Sequence, residues 1–289
     1  QRQMCIRDRF YGVKKYSDYK KMLDCEDIDV VHICTPHYLH ADMVIYALEK
    51  GVNVLCEKPL CIKEEDIGRI VEAESKSRAT LGVCLQNRYN NSSRFVKQLL
   101  EGKKVDFAFG NVSWHRDEEY YRTGAWRGKL ATEGGGVMIN QAIHTLDLMQ
   151  WICGAPKSVC ANTYNYSLKG IIEAEDTVIA MFKGDTDFEF FATNTAKSDL
   201  PIEIRFISGG DIITLYPDEV LVNGKVADIE HCMKGYGKIS YGNGHEKLIK
   251  DFYDCVARGE KFWIDAKEGS ACVRQVLAAY RSNGQEVLI

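Results

Sequence analysis

Ile28-Asp29-Val30-Val31-His32-Ile33-Cys34-Thr35-Pro36 is the stretch that decides the fold. Its β-branched apolar run reads as a short strand, and Thr35-Pro36 ends it. Ala41 to Lys50 follows with helical spacing and Gly51 in the C-cap position. Val52 to Cys56 is a second short apolar strand, closed by Glu57-Lys58-Pro59. Lys63 to Ser77 reads as a helix rich in i,i+4 charge pairs, and Thr80 to Leu85 as a third strand. Strands alternating with helices across short loops predict right-handed βαβ units and a parallel sheet.

Upstream, Ser17 to Leu23 is helix-like, whereas residues 1–9 have no apolar period and read as a non-native leader. No glycine-rich G-x-G-x-x-G turn follows a strand, and no Walker A motif occurs. The sheet is therefore expected to lack a first βαβ unit, the part that would carry such a turn. Downstream of Gln86 the pattern changes. A helix over Ser92 to Glu101 leads into a strand from Val105 to Arg116, then an aromatic and charged loop. Gly134-Gly135-Gly136 opens a helix running to Ile152. Val159–Tyr166, Thr177–Phe182, Phe188–Asn194, Ile202–Ile207 and Ile212–Tyr216 read as strands separated by tight turns, an antiparallel sheet. Helices over His245 to Arg258 and Lys267 to Ser282 end the chain. The expected fold class is an α/β parallel sheet followed by an α+β part with a large, mainly antiparallel sheet.

Composition excludes several functions. The 289 residues carry a net charge of −4, so no general nucleic-acid surface is implied. No run approaches the roughly 18 apolar residues of a membrane span, and no secretory h-region is present. Eleven cysteines, an odd count without any CxxC, read as reduced and mostly buried thiols of a cytoplasmic protein. No cluster with metal-ligand spacing is evident, so no metal is expected.

The residues able to carry chemistry fall at strand ends, where open α/β sheets bind ligands. Thr35, Pro36, His37 and His40 follow the first strand, and Glu57 and Lys58 the second. Pro59 biases Lys58 towards an extended backbone, aiming it from a rigid loop into the same crevice. Gln86-Asn87-Arg88 ends the third strand. Tyr121, Trp126 and Arg127, with Arg116 and Tyr120, supply rings and donors suited to a polyhydroxylated ligand or an interface. On one helix Asn140, His144 and Asp147 would share a face as i, i+4 and i+7. Such a stripe is either an internal hydrogen-bond network or the floor of a cleft. The glycines ahead of it leave room for an anion or cofactor at the helix N-terminus.

The order and spacing of Thr35-Pro36-His37 with His40, Glu57-Lys58-Pro59, and Gly134-Gly135-Gly136 with His144 and Asp147 resemble the Gfo/Idh/MocA family of nicotinamide-dependent oxidoreductases. Gly244-His245 and Tyr280-Arg281-Ser282 are also similar to that family. The resemblance implies a partial NAD(P)-binding Rossmann domain over 10–87 and a substrate-binding, oligomerisation domain over 88–289. It implies NAD or NADP as cofactor, a sugar, inositol or sugar-derived alcohol as substrate, and a homodimer or homotetramer. Thr35, Pro36, His37, His40, Glu57, Lys58, Gln86, Trp126 and Arg127 would contact cofactor. Lys58 and His144 would be catalytic, with Asn140, Arg88, Asp147 and Tyr121 at the substrate. Position 140 departs from the aspartate common in the family, so Asn140 is expected to hydrogen-bond substrate and to orient His144. Two rival readings share the fold: an NAD-dependent glycoside-cleaving enzyme and a non-catalytic dinucleotide-binding regulator.

Overall fold

A computed structural model describes residues 12–230, 242 and 244–289. The expected leader, 1–9, lies outside the described residues. The first sheet has three parallel strands in chain order: β1 (Val30–Ile33), β2 (Asn53–Cys56) and β3 (Leu81–Val83). Helix α1 (Tyr19–Cys25) precedes β1, α2 (His40–Glu49) joins β1 to β2, and α3 (Glu64–Lys76) joins β2 to β3. Helix α3 starts with Glu64, Glu65 and Asp66 and has Lys76 in its last turn, so its charges oppose the helix dipole at both ends. It buries Ile67 and Ile70 on the inner side. Gly51 takes φ +73° just past α2, a conformation that suits the position after a helix.

Helix α4 (Asn91–Leu99) leads into β4 (Phe107–Ser113), the centre of a nine-stranded sheet. The other strands are β5 (Ser158–Tyr164), β6 (Thr177–Lys183), β7 (Asp187–Thr193), β8 (Glu203–Ser208), β9 (Asp211–Leu215), β10 (Val220–Val222), β11 (Lys225–Val226) and β12 (Glu286–Leu288). Their order is β11-β10-β9-β8-β4-β7-β6-β5-β12. Neighbours are antiparallel except β4 and β7, which pair in parallel from Phe107↔Asp187 to Ser113↔Thr193. The C-terminal strand β12 was not expected; three residues after a helix carry too little pattern to show a strand, and its pairing with β5 fixes it.

Helix α5 (Glu118–Arg122) lies in the aromatic loop. The expected single helix from the glycines to Ile152 is two helices, α6 (Val137–Asn140) and α7 (Ile143–Cys153). The Val137 carbonyl accepts from both the Gln141 and Ala142 N–H groups, so one turn is widened to i+5. Asn140, His144 and Asp147 therefore do not form the expected continuous stripe. Helices α8 (Gly244–Arg258) and α9 (Ala266–Ser282) return the chain to the first sheet. Gly269 of α9 packs so tightly on Val83 that a Cβ would lie 2.3 Å from that side chain. A contiguous apolar core joins both sheets, from Val54 and Leu81 to Phe182, Phe190 and Phe206.

Among the described residues no helix is long and apolar enough to cross a membrane. Nine cysteines are described, none of them in a disulfide, and six are buried. Cys34, at the end of the first apolar run, is exposed because β1 ends at Ile33, leaving residue 34 beyond the sheet.

Candidate active site

The strand ends, the widened turn and the aromatic loop converge on one cavity of about 530 Å³. Glu57, Lys58, Gln86, Asn140 and His144 form its base, and Trp114, Arg116, Tyr120 and Arg127 its wall. An adjoining hollow of about 200 Å³ shares Glu57, Lys58 and Asn140 and adds Thr35, His37, His40 and Trp126. A separate groove between α2 and α3 is lined by Glu49, Arg69, Glu72 and Lys76, which are ordinary surface charges.

Lys58 is the hinge between the two hollows. It follows β2 directly, and its ammonium donates to the Asn140 carbonyl at 2.7 Å and to Asn140 Oδ1 at 3.4 Å. The widened turn places that carbonyl at the break between α6 and α7. Burial pushes the lysine pKa down, while Glu57 and Glu133 pull it back up. Asn140 Nδ2 in turn donates to the Glu133 carboxylate. That carboxylate is fully buried, accepts from the Gly128 N–H and lies 3.8 Å from Arg127. Burial raises its pKa, against the pull of these donors. The order Glu133, Asn140, Lys58 is a relay of contacts that fixes the amide and, through it, the ammonium. Sequence reasoning missed Glu133, although it stands directly before the three glycines; nothing in its spacing shows that the loop folds back on Asn140.

His144 sits at the cavity base, 4% exposed, with Nε2 3.2 Å from the Gln86 amide nitrogen. Its Nδ1 and the Gln86 Oε1 are buried without a partner among the described residues. Burial first, then Lys58 and His245, hold the imidazole well below its ordinary pKa. It is therefore neutral near pH 7 and has a lone pair to accept a proton.

Several expected contacts lie elsewhere. Arg88 and Asp147, expected at the substrate, are both buried and bind each other through Nε–Oδ2 at 2.8 Å and Nη2–Oδ1 at 2.6 Å. The 3-10 turn Gln86–Tyr89 sends Gln86 to the cavity and Arg88 into the core. Tyr121, also expected at the substrate, packs with Leu168 and Ile172 and accepts from Asn194 Nδ2 at 3.2 Å. Its neighbour Tyr120 faces the cavity, accepting from Arg127 at 2.7 Å and Gln141 at 3.1 Å. Adjacent positions of a short helix point about 100° apart, which is why the two tyrosines divide.

Among the residues expected at cofactor, Thr35, His37, Glu57, Lys58, Trp126 and Arg127 border the smaller hollow, and Gln86 the larger cavity. His37 packs on Trp126 with ring centroids 4.7 Å apart. His40 borders the hollow, but its ring nitrogens lie 2.8 Å from the Pro59 and Thr35 carbonyls. It ties the ends of β1 and β2 together. Pro36 starts the turn His37–Leu39 and is not among the residues that line the hollow.

The glycine-led helix start is filled by one of the protein's own carboxyl groups. Glu175 accepts from the Gly136 and Met138 N–H groups and from the Tyr280 hydroxyl, each at 3.0 Å. A Cβ on Gly136 would stand 1.8 Å from the Glu175 carbonyl, so only glycine permits this approach. Burial outweighs these donors and raises the Glu175 pKa to about 7. A raised acid favours the folded state while protonated. Its contribution is full below the ordinary value of 4.5 and is lost as pH rises through about 7. Replacing Glu175 with Gln is expected to remove up to ~3 kcal/mol of this pH-dependent loss. Melting curves from pH 5 to 8 check it: the variant should show the smaller decline.

Residues 2–85 match the model described as oxidoreductase family, NAD-binding Rossmann fold, and residues 94–206 match the GFO/IDH/MocA C-terminal domain. The chain is 24% identical to trans-1,2-dihydrobenzene-1,2-diol dehydrogenase of Xenopus laevis, over 86% of this chain and 76% of that protein. It is 24% identical to D-glucoside 3-dehydrogenase of Escherichia coli, over 96% of this chain and 83% of the relative. The WlbA dehydrogenase of Bordetella pertussis, solved with NADH and UDP-GlcNAcA, superposes with TM-score 0.85 and 26% identity, covering 98% of this chain and 86% of that one. With an NAD-binding Rossmann domain leading into the matching C-terminal domain, the chain belongs to the Gfo/Idh/MocA family of oxidoreductases.

Proposed function

We propose that this protein is a dehydrogenase that moves a hydride between a nicotinamide dinucleotide and a secondary hydroxyl of a sugar, inositol or related ring. The observation that carries the reading is the joint exposure of Lys58 and His144 to one cavity, with Lys58 also bordering the adjoining hollow. That hollow fits a nicotinamide riboside: His37 and Trp126 supply a flat wall, and Glu57 a carboxylate for ribose hydroxyls. Gln86 and His144 both line the cavity, and the buried His144 Nδ1 and Gln86 Oε1 have no hydrogen-bond partner among the described residues.

Bound nicotinamide supplies the hydride acceptor. The neutral His144 takes the hydroxyl proton, and the Lys58 ammonium stabilises the negative charge developing on the substrate oxygen. Asn140, held by Glu133, keeps that ammonium in place. Arg116, Tyr120 and Arg127 offer planar donors and a ring to a polyhydroxylated substrate. NADH formation by the gene product of the whole reading frame, across sugars and inositols, tests the reading. Net accumulation with at least one sugar or polyol supports it. Glycoside cleavage without net NADH would replace it with the transient-oxidation reading.

The outer face of the large sheet supports the oligomer proposal. Phe109, Ile179 and Ile212 are exposed there, and Phe191 lies opposite Ile179 in the register. We expect Phe109→Asp to shift the particle mass towards the monomer in light scattering; an unchanged mass would place the interface elsewhere.

A further inference from the structure

We propose that Glu57, Cys84 and His245 bind one soft divalent cation of the Zn²⁺ type, and that this ion excludes the dinucleotide. Each residue offers one donor atom, and the three donors lie within 4.8 Å of one another. Carboxylate, thiolate and imidazole together are a zinc donor set, and a thiolate disfavours Mg²⁺ or Ca²⁺. Three protein ligands leave a fourth position for water, as in zinc sites with an exchangeable ligand.

The fold holds the donors in place. Glu57 follows β2, Cys84 follows β3, and His245 is the second residue of α8. Gly244 lies so close to the Gln86 turn that a Cβ would stand 1.9 Å from the Gln86 carbonyl. Its N–H donates to Asn90 Oδ1 at 3.0 Å, which pins the helix start. His245 Nε2 thereby reaches within 3.8 Å of Glu57 Oε1. The Glu57 and His245 side chains are 34% and 45% exposed, giving an ion a path from solvent, while buried Cys84 closes the inner side. On binding, the Cys84 S–H bond breaks, a sulfur–metal bond forms and the proton leaves to solvent; no electrons are transferred. The exclusion of dinucleotide rests on the proposed role of Glu57 at the ribose, since cation and ribose hydroxyl would need the same carboxylate oxygens.

The test uses Co²⁺ with the metal-free full-length protein, without substrate. Wild type is expected to develop a thiolate-to-cobalt charge-transfer absorption that saturates at one ion per chain and is displaced by Zn²⁺. Cys84→Ala should lose it, and His245→Ala should weaken binding by at least the roughly 10–100-fold typical of disturbed metal shells. An absent band, or one unchanged in both variants, overturns the site. His245 lies on the exposed rim, so its variant decides the matter should Cys84→Ala fail to fold. NADH fluorescence then tests the exclusion: Zn²⁺ should release bound NADH from wild type, and release equal in His245→Ala overturns it. If NADH does not bind even the metal-free protein, the cofactor reading fails and the exclusion with it, while the cobalt band still judges the site.

Discussion

Lys58→Met is expected to lower kcat by about 10²–10³-fold, the loss that follows removal of one preorganised charge from a developing oxyanion. The change should fall on kcat more than on KM, because the ammonium acts most strongly when the substrate oxygen becomes negative. Stability should be unchanged or slightly raised. Burial penalises the charged lysine, as its lowered pKa shows, and the methionine stem fills similar space. His144→Asn should also fall by about 10²-fold or more, through loss of the proton acceptor. Lys58→Met and His144→Asn together should lose far less than the product of the single losses, since they act on one proton and one oxygen. Steady-state kinetics beside a melting curve checks these expectations. A Lys58→Met enzyme with normal turnover and normal melting would remove Lys58 from the chemistry.

Much of this arrangement was legible in the residues because local rules govern it. The three β-branched runs, their breaker residues and Gly51 are decided within a few positions, so the parallel sheet emerges directly. Lys58 and Glu57 were legible for the same reason: they stand where a parallel strand ends. Arg88, Asp147 and Tyr121 lie away from the cavity lining because a side chain's face is decided by distant partners. Trp151 and Trp263, neighbouring rings that both pack near Arg88, come from α7 and from the segment before α9, and no local pattern reveals them. The widened turn at Gln141 and Ala142 was equally hidden, since their backbone angles remain helical and only the hydrogen bonding differs. Glu175 reaches the helix start from far along the chain. The three glycines indicated that something approaches there, but not that the protein supplies it.

Arg88→Met is expected to destabilise the fold by about 3–5 kcal/mol, because it leaves Asp147 ionised and buried without its cation. Asp147 is 1% exposed, and its remaining contact is the Gln150 amide at 3.2 Å. Arg88 also donates to Glu268 Oε1 at 2.6 Å, but that carboxylate is 42% exposed and water replaces the lost bond. The guanidinium lies 5.5 Å from both the Trp151 and Trp263 ring centroids, so its loss also removes two cation–π contacts. Adding Asp147→Asn should recover part of the loss, since no uncompensated charge then stays in the core. Denaturant unfolding of the two single variants and the double variant measures that recovery. The ion pair joins the turn after β3 to α7, the helix that carries His144. Activity measured well below the melting temperature should therefore fall less than stability, because the pair lies behind the site and touches no ligand space. A loss of kcat comparable to that of Lys58→Met, in folded Arg88→Met protein, would show instead that the pair holds His144 in its working position.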